Sequence, residues 1–163
     1  MKTLILVRHA KSDWNDPTLD DFDRPLNERG KRDAPVMARR LREKHIRPDR
    51  ILSSPAKRAA RTARVFAEEL DVKKKQVLYN EALYLAPPSV YYDVLSHLDR
   101  DCDTVALFAH NDGITAFANQ LTDVRIDNIP TCGVFAVRIH CEDWSTFRDA
   151  QKDFWFFDQP KAL

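Results

Sequence analysis

Two histidines in this chain each come directly after a short run of core-forming residues. His9 follows Leu4-Ile5-Leu6-Val7-Arg8, and His110 follows Thr104-Val105-Ala106-Leu107-Phe108-Ala109. Arg8 stands beside the first histidine, Arg58 opens a helical stretch beyond a third such run, and Glu81 comes just after a fourth. Two imidazoles, two guanidiniums and a carboxyl group are the parts of a phosphoryl-transfer site. Guanidiniums present fixed forks of N–H donors to nonbridging oxygens, and their charge keeps a nearby imidazole neutral. A neutral imidazole can attack phosphorus and carry the phosphoryl group, dividing one hard displacement into two easier ones. A protonated carboxyl can then supply the leaving oxygen with its proton. Each residue alone would read as a strand cap or a solvated charge; their recurrence at strand ends argues for chemistry.

The elements that must position them follow from the apolar pattern. Leu4–Val7 is too short and too uniformly apolar for an amphipathic helix, so it predicts a buried, central, parallel strand. Arg50–Ser53, Gln76–Tyr79 and Thr104–Ala109 predict three more strands, and Gly133–Ile139 and Asp153–Phe157 a further two. No strong helix separates the last pair, so at least one strand is expected to run antiparallel at a sheet edge. Asn27 is expected to cap a helix reaching Lys44, with Ala34, Met37, Ala38 and Leu41 as its apolar stripe and a kink or restart at Pro35. Ser54 and Pro55 predict a hydroxyl-capped second helix with proline at its first position. Arg58 then lies at a helix N-terminus, where a cation is misplaced unless an anion joins it. Further helices are expected from Pro88 and after Gly113. The predicted fold is a three-layer α/β/α single domain over residues 1–163, with a mostly parallel central sheet. In such open sheets the carboxyl ends of the strands share the edge where ligands bind, so Arg8, His9, Arg58, Glu81 and His110 are expected to converge there.

Composition limits the alternatives. The 163 residues are 44% hydrophobic and 31% charged with a net charge of +1, so no global basic field draws nucleic acid or an anionic membrane. No apolar run approaches the roughly 20 residues of a membrane span, and the first residues lack a signal-peptide plan, so a cytosolic protein is expected. Cys102, Cys132 and Cys141 share no metal-ligand spacing and read as reduced packing thiols. With glycine only at positions 30, 113 and 133, neither a dinucleotide fingerprint nor a P-loop can form, and phosphate must be held by side chains. No cofactor and no metal are expected. The aspartate-rich loop containing Asp13, Asp16, Asp20, Asp21 and Asp23 lacks calcium-loop spacing and reads as solvated.

The segment Leu6-Val7-Arg8-His9-Ala10-Lys11-Ser12-Asp13-Trp14-Asn15 resembles the R-H-G motif of the histidine phosphatase superfamily, also called phosphoglycerate mutase-like, with alanine where glycine is usual. Asp23–Gly30, Ser53–Ala63 and Phe108–Asn111 resemble further family segments in order and spacing. The Arg-His-Ala form, the short length and the Trp155–Pro160 stretch are most similar to SixA-like phosphohistidine phosphatases. The resemblance implies that His9 is the phosphorylated nucleophile and that Arg8, Arg58 and His110 complete the phosphate pocket. It also implies that Asn15 and Arg24 border the phosphate and that Glu81 stands at the usual place of the proton donor. Three functions remain open: a phosphatase on phosphohistidine in proteins, a phosphatase on small phosphate esters, and a noncatalytic phosphate-binding module. The substrate partner is accordingly a phosphoprotein or a small ester, and the sequence leaves the oligomeric state open.

Overall fold

A computed structural model describes residues 1–161. Six strands form one sheet: β1 (Lys2–Arg8), β2 (Arg50–Ser53), β3 (Val77–Tyr79), β4 (Thr104–Ala109), β5 (Val134–Ile139) and β6 (Lys152–Asp158), in the order β3-β2-β4-β1-β5-β6. The contacts among β1 to β4 are parallel, whereas β5 runs antiparallel to both β1 and β6. The one reversed strand is therefore not the edge strand; β6 covers it and restores the direction of β1.

Alternation along the strands sorts the core into two layers. Leu4 and Leu6 of β1 face one side with Phe117, Phe135 and Trp144, while Ile5 and Val7 face the other with Met37, Leu41 and Phe66. Helices α1 (Glu28–Glu43) and α2 (Lys57–Glu69) cover the second face, and α3 (Pro88–Ser96) and α4 (Gly113–Leu121) the first. Each fully buried large aliphatic or aromatic side chain contributes roughly 1.5–3 kcal/mol. All three cysteines are free, and Cys102 and Cys132 are buried. Among the described residues, no helix is long and apolar enough to cross a membrane.

Two helix starts are informative. Asn27 caps α1 as its sequence implies, accepting from the Gly30 N–H at 2.9 Å, but the helix runs through Pro35 without restarting. At α2 the expected Ser54 cap is not formed. The helix begins three residues later, at Lys57, and the Ser54 hydroxyl accepts from the Ala56 N–H while also contacting His110. The hydroxyl thus links Ala56, the N-cap residue of α2, to the buried His110 ring.

Candidate active site

Arg8 and Ala109 are register partners on adjacent parallel strands, so the next residue on each strand is a histidine. The His9 N–H donates to the Ala109 carbonyl at 3.1 Å, and the two rings lie 5.2 Å apart at 54°. Arg8, His9, Arg24, Arg58 and His110 line a cavity of about 270 Å³. Arg58 is the second residue of α2 and only 3% exposed, at the helix end that favours an anion.

His9 is held in one tautomer. Its Nδ1 lies 2.7 Å from the Ala10 carbonyl, which can only accept, so Nδ1 carries the proton and Nε2 keeps its lone pair. Burial, and then the charges of Arg58, Arg8 and Arg24, outweigh that hydrogen bond and push the His9 pKa down to about 4. His110 is lowered further, to about 3, by burial, by His9 and by Arg58. Both imidazoles are therefore neutral at neutral pH. The Ser54 hydroxyl lies 2.7 Å from His110 Nε2.

The loop after β1 is braced from two sides. The Thr62 hydroxyl accepts from the Ala10 N–H at 3.0 Å and donates to the Arg58 carbonyl at 2.8 Å, tying α2 to the loop that carries His9. Gly30 meets the same loop so closely that a Cβ there would lie 2.2 Å from the Lys11 carbonyl oxygen, which explains glycine at the end of the Asp23–Gly30 segment. From the turn that precedes β5, the Cys132 N–H donates to the carbonyls of both Arg8 and His9. Arg8 is fastened by Nη1 to the Ile129 carbonyl at 2.9 Å; burial lowers its pKa, and nearby Asp112 opposes this.

Arg24 is buried and lines the cavity, its guanidinium 3.3 Å from the centroid of the exposed Trp14 ring and its Nε 3.3 Å from Asp21 Oδ1. Asp21 is the one carboxylate among the lining residues. Its Oδ2 accepts from Arg58 Nη2 at 2.9 Å and from the Tyr84 hydroxyl at 2.5 Å, and its backbone carbonyl accepts from Arg58 Nη1 at 2.6 Å. Burial raises the Asp21 carboxyl, but Tyr84, Arg58 and Arg24 together outweigh it and hold it below the usual carboxylate range. The aspartate loop is thus not simply solvated, because one of its carboxylates is turned into the cavity.

Two residues expected at the site are not brought to it. Glu81 opens the short turn Glu81–Leu83, capped by the Asn80 side chain, and its own side chain is exposed and does not line the cavity. The topology supplies the reason: β3 is three strand positions from β1, roughly 14 Å at ordinary strand spacing, and the chain returns to the cavity only at Leu85. Asn15 is exposed, with its backbone N–H on Asp13 Oδ1, and its neighbour Trp14 lines the cavity instead. Asp21, Tyr84, Ser54 and Thr62 were missed from sequence. The four-residue spacing of Arg58 and Thr62 was a usable signal for Thr62, whereas nothing distinguished Asp21 from its neighbouring aspartates. His45, His97 and His140 are exposed and do not line the cavity.

The family model for the histidine phosphatase superfamily (branch 1) matches residues 4–83. An uncharacterised chloroplastic protein of Arabidopsis thaliana is 28% identical over 88% of this chain and 69% of its own length. Phosphoserine phosphatase 1 of Hydrogenobacter thermophilus is 46% identical, over 42% of this chain and 32% of its own length. Among solved structures, the protein assigned as phosphohistidine phosphatase SixA of Agrobacterium tumefaciens superposes with a TM-score of 0.84 at 25% identity, covering 98% of both chains. Sequence match, topology and likeness to solved structures agree: residues 4–83 match the histidine phosphatase superfamily, and the chain is a phosphatase with the phosphoglycerate mutase-like fold.

Proposed function

We propose that this phosphatase hydrolyses phosphohistidine in proteins through a covalent phosphohistidine on its own His9. The observation that carries the route is the fixed tautomer of His9, a neutral buried imidazole whose Nε2 lone pair is free beside three guanidiniums. In this reading Nε2 attacks phosphorus, Arg8, Arg58 and Arg24 hold the nonbridging oxygens, and His110 donates to the same oxygens as charge builds on them. Water then cleaves the phosphohistidine and releases phosphate. The arginines supply the charge that a divalent ion supplies in other phosphatases, so the reaction needs no metal.

A protein substrate is favoured by what surrounds the cationic cavity. Trp14 and Leu85 line it while remaining 73% and 55% exposed, and Phe22, packed edge-on against Tyr84, is 37% exposed. Exposed apolar side chains around an anion site suit a macromolecular surface better than a small polar ester. A small phosphomonoester is the second reading, supported by the match to a phosphoserine phosphatase. Comparing kcat/KM on a phosphohistidine-bearing protein domain with kcat/KM on a panel of small phosphate esters decides between them. A preference for the panel would reject the protein substrate.

A further inference from the structure

The anion seat is already taken by a group of the chain itself. Both Nη atoms of Arg58 are engaged by Asp21, one by its backbone carbonyl and one by its carboxylate, and Arg24 approaches the second carboxylate oxygen. A carboxylate and a phosphoryl group compete for the same fork, because each offers paired oxygens to the guanidinium. The phosphoryl group therefore competes with the Asp21 side chain for Arg58 Nη2, and gains it in full only when that side chain leaves; Nη1 stays on the Asp21 backbone carbonyl, and the buried Nε has no partner among the described residues. The turn Asp21–Asp23 allows this movement, since it buries none of its residues and the Asp21 side chain is 43% exposed.

We propose that Asp21 is the proton donor of the reaction, exchanged out of the Arg58 fork by the incoming phosphoryl group. This rests on the His9 route proposed above. Once displaced, the carboxylate has lost its guanidinium partner and faces a phosphoryl dianion, so it takes a proton from solvent. In the first half-reaction the His9 Nε2–P bond forms and the bond from phosphorus to the leaving atom breaks. The leaving atom receives the proton from Asp21. In the second, the oxygen of water bonds to phosphorus, the P–Nε2 bond breaks, and Asp21 takes the proton released by water. Phosphate departs, Asp21 returns that proton to solvent, and its carboxylate recloses on Arg58. Tyr84 holds the resting position through its hydroxyl, and Glu81 takes no part.

Asp21→Ala, Asp21→Asn and Asp21→Glu in the full chain test this. Freed of its internal competitor, Asp21→Ala should bind vanadate about tenfold more tightly than wild type, a difference near the 1.4 kcal/mol that separates decades of affinity. On aryl and alkyl phosphates, Asp21→Asn should lose about 10²- to 10⁴-fold in kcat/KM where the leaving group is a poor one, and far less with 4-nitrophenyl phosphate. With 4-nitrophenyl phosphate it should also accumulate phosphohistidine on His9, because the second half-reaction lacks its base. Asp21→Glu, which keeps an acid in an exposed turn, should recover part of the loss and guards against a folding artefact. Unchanged or weaker vanadate binding in Asp21→Ala overturns the proposal. So does a loss in Asp21→Asn that is uniform across leaving groups, or a leaving-group-dependent loss in Glu81→Gln instead. If His9 never becomes labelled in any variant, the covalent route itself fails; labelling without leaving-group dependence removes only Asp21.

Discussion

His9 and His110 face each other across adjacent parallel strands, their rings 5.2 Å apart, because Arg8 and Ala109 pair in register and a histidine follows the last residue of each strand. Two imidazoles this close cannot both become charged at modest cost. Burial disfavours the proton on each ring most, the surrounding guanidiniums add to this at both, and His9 adds to it at His110. Two imidazoles at adjacent strand ends are thereby kept neutral.

Removal of the proposed nucleophile should be decisive. His9→Ala is expected to lower kcat by at least about a thousandfold, as deletion of a covalent nucleophile does elsewhere. Rapid acid- or base-quench of the wild-type enzyme during turnover, followed by peptide mapping, should place phosphate on His9. Near wild-type turnover by His9→Ala would end the covalent mechanism.

The histidines also tie stability to pH. Their folded pKa values, about 4 for His9 and about 3 for His110, lie below the ordinary value near 6.5. Between those limits the unfolded chain binds protons that the folded chain refuses, so stability contributed by the neutral rings is present above pH 6.5 and is lost as pH falls toward 4. Urea unfolding from pH 7.5 to 4.5 should show this decline, and His9→Asn should flatten it. Ring proton shifts in NMR should report titration of His9 near 4; a midpoint near 6.5 would contradict the buried, arginine-flanked geometry.

Activity should survive exhaustive treatment with EDTA, since three guanidiniums provide the charge at the seat. Loss of activity on chelation with recovery on adding a divalent ion would show that the arginines are insufficient.

Thr62→Val keeps the shape of the side chain but removes the acceptor for the Ala10 N–H. Leaving that buried donor unpaired should cost about 1–3 kcal/mol in unfolding free energy. Since Ala10 also supplies the carbonyl that orients His9, kcat should fall as well, with a smaller change in KM; unaltered kcat would show that the loop holds its shape without Thr62.

Gly30→Ala tests the close approach of α1 to the same loop. The added methyl would sit 2.2 Å from the Lys11 carbonyl oxygen, against rigid backbone, and overpacking of this kind costs about 1–3 kcal/mol or more. Thermal unfolding should show a clear drop, whereas Lys31→Ala, at an exposed position one residue on, should show little.

What the residues determined by themselves was local and periodic. The apolar runs at β1 and β4 ended where their histidines began, and the Asn27 cap followed from side-chain chemistry acting over three residues. Strand order was not contained in that pattern. Only the tertiary structure put β4 beside β1, bringing His9 and His110 together, and β3 three positions away, leaving Glu81 outside the cavity. It also made β5 the reversed strand and left β6 at the edge, a choice that alternation alone cannot make. Asp21 shows the same division most sharply. As one aspartate among several in a loop it carried no distinguishing spacing, and its part in the site came from the long-range approach of Arg58, Arg24 and Tyr84. The pairing of charges across a fold depends on where other elements deliver their side chains, whereas strand and helix signals depend on near neighbours.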